Sequence, residues 1–221
     1  MRIGIIGAGR IGGALAVHAL RCGHAVMISN SRSPDTLRDQ AVDLGCLAGT
    51  AQEAAAFGEV VFVAIPFRSR ESIPVAPLAG KVVVDANNYY PYRDGDIGEL
   101  DRHETTTSQM LARHLAGAKV VKAFNAIMQA DLQTHGRPRG EPERRALPIA
   151  ADDPAAMALV AGLVDAFGFD PVDAGTLSES WRFERAKPAY CIPFDVQGLK
   201  DALAAAERDK ELPHGSWRRQ A

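Results

Sequence analysis

With 221 residues, 47% of them hydrophobic and 24% charged, the chain has the size of one α/β domain with a small elaboration and an ordinary globular composition. A formal net charge of −2 gives no general electrostatic reason to bind nucleic acid or an anionic membrane. Three widely spaced cysteines (Cys22, Cys46, Cys191) without a CxxC argue against a disulfide framework, and apolar runs such as Val60–Pro66 are far too short to span a bilayer.

Strand-length apolar runs alternate with amphipathic stretches of helix length, the pattern of a parallel sheet covered on both faces. The first strand is Arg2–Ile6, so no signal peptide precedes the fold and a cytoplasmic protein is expected. A glycine turn and a helix, Ile11–Cys22, follow; the helix places Ile11, Leu15, Ala19 and Cys22 on one face. The spacing then predicts a strand over Ala25–Ser29, a helix over Pro34–Leu44 capped by Ser33, and a weak strand over Cys46–Ala48. Strands at Val60–Ala64 and Val82–Asp85 lead into a long irregular stretch, Asn87–Glu104. Thr106 and Gln109 form a capping box before a helix over Met110–Leu115, and the next strand is Lys119–Ala123. After a Gly/Pro/Arg/Glu loop, Thr134–Arg145, come a strand (Ala146–Ala150), a helix opened by Asp153 and Pro154 and running to Ala166, a strand (Phe169–Asp173) and a last helix, Val196–Glu211. The fold class expected is α/β, a Rossmann-type doubly wound, mainly parallel sheet. Residues 1–145 form the nucleotide-binding part and 146–221 a small βαβ-plus-helix extension packed on it. That extension leaves no room for a large helical second domain.

Gly7-Ala8-Gly9-Arg10-Ile11-Gly12 is a G-x-G-x-x-G sequence between an apolar strand and an amphipathic helix, the context that gives the motif its meaning. Gly7 permits the tight turn, Gly9 lets the backbone approach a pyrophosphate, and Gly12 lets helix and strand pack. The pyrophosphate would meet N–H groups at the helix start. An NAD site places Asp or Glu at the end of the second strand for the ribose 2′-hydroxyl. Here the position reads Ser29-Asn30-Ser31-Arg32-Ser33, with no carboxylate. Ser31 and Arg32 offer a hydroxyl and a guanidinium fork suited to a 2′-phosphate, so the cofactor expected is NADP(H).

Lys122 and Asn125 follow a strand whose carboxyl end should face the ligand crevice, and they are the best candidates for polar chemistry. The alternatives are a structural ion pair for Lys122 and a cap for Asn125. Asn87 and Asn88, at another strand end, bind a ribose or cap a turn. Arg137, Arg139, Arg144 and Arg145 either meet an anionic acceptor tail or, interleaved with Glu141 and Glu143, form a solvated face. Trp181, Phe183 and Tyr190 either shield a flavin-like ring or pack in a core or dimer interface. The six histidines (His18, His24, His103, His114, His135, His214) form no H-x-x-x-H pair, so no metal site is expected, and His18 reads as structural.

With Gly7–Gly12, the SNSRS segment, Ala64-Ile65-Pro66 and Val120–Asn125 (VVKAFN), the chain resembles the NADP-dependent oxidoreductases related to the F-420-dependent NADP reductase, from Arg2 to about Gly175. The nucleotide-binding half of that family also occurs in the cytoplasmic domains of the STEAP metalloreductases. The resemblance implies direct hydride transfer between NADPH and a deazaflavin (F-420) or flavin acceptor, with the protein supplying orientation. It places Gly9, Arg10 and Ile11 along the pyrophosphate, and Ser31 and Arg32 at the 2′-phosphate. Ala64, Ile65 and Pro66 fall beside the ribose and nicotinamide, with Ala123, Phe124 and Asn125 where the rings stack. One departure concerns the acceptor: the deazaflavin reductases carry a histidine near the position of Asn125, and FN is closer to the metalloreductase form. The competing readings are a small NADP-dependent imine or carbonyl reductase and a non-catalytic NADP(H) sensor. The partner expected is a small-molecule redox acceptor, with the aromatic loops suggesting a homodimer.

Overall fold

A computed structural model describes residues 1–213, 215 and 216; His214 lies outside them. Eight strands form one sheet: β1 (Arg2–Ile6), β2 (Ala25–Ser29), β3 (Leu47–Ala48), β4 (Val60–Val63), β5 (Val82–Asp85), β6 (Lys119–Lys122), β7 (Ala146–Ala151) and β8 (Asp170–Asp173). Their order is β3-β2-β1-β4-β5-β6-β7-β8, parallel throughout except for the antiparallel β6–β7 pair. The chain moves outward from β1 to β3, then crosses back to β4 on the other side of β1. This reversal opens a crevice beyond the carboxyl ends of β1 and β4, where open α/β sheets take ligands.

The central strands are apolar on both faces because helices cover both: all four residues of β4 are buried, as are Ile3, Ile5 and Ile6 of β1. Among the described residues, seven α-helices longer than a single turn surround the sheet. They are α1 (Arg10–Arg21), α2 (Arg38–Leu44), α3 (Ala51–Phe57), α4 (Thr107–His114), α5 (Gln129–Thr134), α6 (Pro154–Ala166) and α7 (Val196–Ala204). His18 on the inner face of α1 is structural: its ring stacks on Phe167 at 5.3 Å and its Nε2 meets the Leu132 carbonyl at 2.6 Å. Burial holds its pKa below the usual histidine value.

The predicted caps form. Thr106 and Gln109 make a reciprocal capping box on α4, and Asp153 accepts from the Ala156 N–H at 2.8 Å on α6. Ser33 caps a 3₁₀ turn, Pro34–Leu37, so the helix expected over Pro34–Leu44 is divided, with only Arg38–Leu44 α-helical. Helix α3 was not predicted, although Thr50 and Glu53 form its capping box. The last helix stops at Ala204, short of the expected Glu211. Beyond it the Lys187 ammonium collects the carbonyls of Glu207, Arg208 and Lys210, at 2.7, 2.8 and 2.8 Å, and holds the chain in a non-helical turn. The Asn87–Glu104 stretch contains two single-turn helices, Pro91–Asp94 and Gly98–Asp101.

Candidate active site

The glycine turn joins β1 to α1 and is tied to the end of β2, since the Gly7 and Ala8 N–H groups both donate to the Ser29 carbonyl (2.9 and 2.8 Å). Gly7 has φ +107°, and a Cβ there would lie 2.3 Å from the Ala64 carbonyl oxygen. At Gly12 a Cβ would lie 1.9 Å from the Gly7 oxygen. The fold itself requires these two glycines. Gly9 is different: it is exposed, and a Cβ there would meet nothing within 4 Å. The space above Gly9 is therefore left open, as close approach by a pyrophosphate demands. Helix α1 starts directly after it with no side-chain cap, so its first-turn N–H groups stay available to an anion.

At the end of β2, Asn30 shapes the turn by accepting from the Arg32 N–H (2.8 Å) and donating to Thr36 (2.9 Å). The side chains of Ser31 and Arg32 are exposed and make no hydrogen bond or ion pair with the other described residues. Nearby Arg38 is paired with Asp35 at 2.8 Å. The open guanidinium beside the glycine turn is the one that the sequence singles out for a 2′-phosphate.

A cleft of about 430 Å³ lies beyond the carboxyl ends of β1, β5 and β6. Arg10 and Ile11 line one side, Asn88 and Asn125 its floor, and Tyr90 and Tyr190 the opposite wall, with Tyr92 79% exposed at the mouth. Two buried amides each keep a polar atom unpaired, Asn125 in the cleft lining and Asn87 next in sequence to Asn88. Asn87 accepts from the Ile65 N–H through Oδ1 (2.8 Å), but its Nδ2 has no partner. Asn125 donates through Nδ2 to Asn88 Oδ1 (3.1 Å) and the Phe183 carbonyl (2.9 Å), but its Oδ1 has none. A buried polar group left unpaired costs about 1–3 kcal/mol, so the unfilled Asn125 acceptor in the cleft lining fits a ligand that brings a donor. Asn125 is thus bonded into the cleft floor and caps no helix. Ala64, Ile65 and Pro66 do not line this cleft; Ala64 packs against the glycine turn and Ile65 orients Asn87. Ala123 is fully buried behind it.

The expectation for Lys122 is corrected by the geometry. Lys122 is 0% exposed and commits its ammonium to Asp85 Oδ2 (3.2 Å), the Asn87 carbonyl (2.5 Å) and Thr107 Oγ1 (2.9 Å). With its donors committed beneath the floor it cannot reach a substrate, and the ion-pair alternative is the one the geometry supports. Ser108 completes the knot through Asp85 Oδ2 (2.6 Å), and Glu184 accepts from Thr107. Phe124 is 1% exposed, and its ring packs on Phe62 (5.9 Å) and Phe167 (5.7 Å) in the core, at a position that also borders the cleft beside Asn125. Its backbone is left-handed, with φ +61°.

Other candidates are also located. Arg144 is paired internally with Asp165 (2.8 Å) and Asp170 (2.5 Å), and Arg145 with Asp131 (2.7 Å), so these two arginines serve the fold. Phe183 is a core residue, and Trp181 lies in another cavity between Lys187 and Arg208. Tyr190 alone of that trio lines the cleft. Ile127 and Met128 line it too, and no sequence signal marks them. No described helix is long and apolar enough to cross a membrane. Among the described residues no cluster of His, Cys, Asp and Glu is arranged to hold a metal.

A doubly wound sheet with an open glycine turn, an acid-free second strand end and a polar cleft at the switch point defines a dinucleotide-binding oxidoreductase. Residues 2–89 match the model of the family described as "NADP oxidoreductase coenzyme F420-dependent", and this part of the chain belongs to that family. It is 31% identical over 199 residues to the rat metalloreductase STEAP3, an alignment covering 87% of this chain and 38% of that protein's length. Among solved structures, the hypothetical protein SMa0349 from Sinorhizobium meliloti superposes with a TM-score of 0.76 at 31% identity, covering 88% of this chain and 94% of that one. A putative F420-dependent NADP reductase from Arthrobacter sp. FB24 superposes at 0.68 with 25% identity, over 80% of this chain and 86% of that one.

Proposed function

We propose that this NADP oxidoreductase moves a hydride between NADPH and the ring of a deazaflavin (F-420) or flavin acceptor held in the 430 Å³ cleft. The observation that carries the reading is the position of that cleft. It adjoins the open glycine turn through Arg10 and Ile11 and presents, on its far side, a wall of tyrosines suited to a planar aromatic guest.

NADPH, when bound, supplies the hydride. The chain's own residues do the rest. The backbone at Gly9 and the uncapped start of α1 receive the pyrophosphate, and Ser31 with Arg32 receives the 2′-phosphate. Asn125 Oδ1 offers an acceptor that fixes a ring edge. Tyr90 and Tyr92 screen the cleft from water. Lys122 acts at one remove, locking the Asn87 carbonyl next to Asn88 of the cleft lining. No acid–base triad is needed, because hydride transfer between stacked rings depends chiefly on distance and orientation.

The test is an acceptor screen, in which the protein is mixed with NADPH and F-420, FMN, FAD or ferric chelates and followed by stopped-flow absorbance. Bleaching of F-420 or of a flavin at the expense of NADPH is expected. Turnover of imines or carbonyls alone would replace the reading with a small reductase, and tight NADPH binding without turnover of any acceptor would replace it with a redox sensor.

A further inference from the structure

Tyr90 and Tyr190, 100 residues apart, join their hydroxyls in a short hydrogen bond on the cleft wall. Tyr190 is 4% exposed, while Tyr90 is half-buried and nearer the opening. Tyr90 is held from three sides. The Arg93 guanidinium lies 4.6 Å over its ring, its backbone N–H donates to Asp94 (3.0 Å), and Arg93 is fixed in turn by the Asn88 carbonyl (2.8 Å). Behind Tyr190 lies the buried Cys191, which also borders the cleft. The hydride path requires none of this, yet the two hydroxyls form an ordered pair at the cleft.

Two hydroxyls in one hydrogen bond share one hydrogen between them. With Tyr190 donating to Tyr90, the hydrogen of Tyr90 is left for whatever occupies the cleft. Burial holds both phenols above their usual pKa, so they remain protonated around neutrality. The charged and titratable neighbours of the pair are Arg93, Asp94, Tyr92, Cys191 and, across the cleft, Arg10.

We propose that Tyr90 is the acid that delivers the proton accompanying the hydride, with Tyr190 as the positioning residue behind it. The inference rests on the hydride-transfer reading above and sharpens its substrate class. The nicotinamide C–H bond breaks with its electron pair, a new bond to hydrogen forms on the acceptor ring (C–H on a deazaflavin, N–H on a flavin), and the acceptor's displaced pair settles on another ring nitrogen. That nitrogen takes the Tyr90 proton, and the phenolate regains one from water as product leaves. The site therefore suits organic acceptors that need a proton with the hydride. A ferric chelate, which takes electrons alone, makes no use of it.

The test compares wild type, Tyr90→Phe and Tyr190→Phe with NADPH and F-420 or FMN in stopped flow between about pH 6 and 9. Wild type should show a flat rate. Tyr90→Phe should be about 100-fold slower at neutral pH and lose about a further tenfold per pH unit, because the proton must then come from solution. Tyr190→Phe should lose about tenfold while keeping the flat profile, since the acid remains but is poorly aimed. Independently of turnover, the affinity for oxidised acceptor, measured by fluorescence with NADP⁺ present, should fall severalfold in Tyr90→Phe, with NADPH binding unchanged. A Tyr90→Phe rate and pH profile matching wild type would overturn the proposal, as would a wild-type rate already falling tenfold per pH unit. Wild type that binds NADPH but reduces no organic acceptor would instead overturn the hydride-transfer reading itself, and no variant is needed to see that.

Discussion

At the phosphate end of the crevice Arg32 and Ser31 stand in solvent with no partner among the described residues, whereas beneath the cleft floor Lys122 is fully buried and divides its donors among Asp85, Asn87 and Thr107. Both regions carry cations at strand ends, where open α/β sheets put function. The difference lies in what each cation already holds. A guanidinium with its fork unused is available to a phosphate, and removing it should leave the fold intact. An ammonium bonded to a buried carboxylate is scaffold, and removing it leaves that carboxylate uncompensated. Free donors belong to ligand chemistry and committed donors to positioning.

The sharpest way to break this contrast is Lys122→Met. The change leaves Asp85 buried with only Ser108 and the Asn87 N–H as partners, and breaking a buried pair from one side costs about 3–5 kcal/mol. Urea unfolding should register a loss of that order, with NADPH affinity falling only as far as the fold is disturbed. A protein of unchanged stability that binds NADPH normally but has lost hydride transfer would return Lys122 to a chemical role.

The glycines divide in the same manner, with smaller effects. Gly7→Ala forces a Cβ onto the Ala64 carbonyl at a positive φ, and about 1–3 kcal/mol of stability should be lost. Gly9→Ala meets no protein atom, so stability should stay within about 0.5 kcal/mol of wild type. Its methyl group occupies the space kept for the pyrophosphate, and titration with NADPH should show affinity at least about tenfold weaker, or about 1.4 kcal/mol. Equal binding by Gly9→Ala and wild type would mean that the open space has no ligand.

Local sequence made some of these features legible and hid others. The glycine turn, the capping boxes and the strand cores announce themselves within a few residues, because backbone geometry and two-faced burial fix residue type locally. The Thr50–Glu53 box is equally local, but the alanine-rich stretch that follows it has little apolar periodicity to mark a helix. The end of α7 was not local: its alanine-rich sequence favours more helix, and Lys187, some 20 residues earlier, overrides that preference. The Lys122–Asp85 pair is implicit in two apolar strands that each end in a charge, but it becomes visible only when β5 and β6 are paired with Asp85 opposite Lys122. Phe124 shows what position alone leaves out, since its ring is packed in the core on Phe62 and Phe167 where the residue borders the cleft beside Asn125. Tyr90 and Tyr190 have no common local signal, because only the tertiary fold brings the two loops together.

The finest test of the contrast is at its solvent end. Arg32→Ala removes a side chain without a protein partner, so thermal and urea unfolding should not change measurably, with surface substitutions of this kind staying within about 0.5 kcal/mol. If the guanidinium holds the 2′-phosphate, wild type should bind NADPH at least about tenfold more tightly than NADH, a preference of about 1.4 kcal/mol, and Arg32→Ala should remove most of it while leaving NADH affinity unaltered. Added salt should erode the wild-type preference, because an exposed ion pair is screened, and should have little effect on the variant. Equal affinity of wild type for the two nucleotides would show that an unpaired arginine beside a glycine turn is not enough to make a phosphate site, and the rule that free donors mark ligand chemistry would then fail where it is easiest to apply.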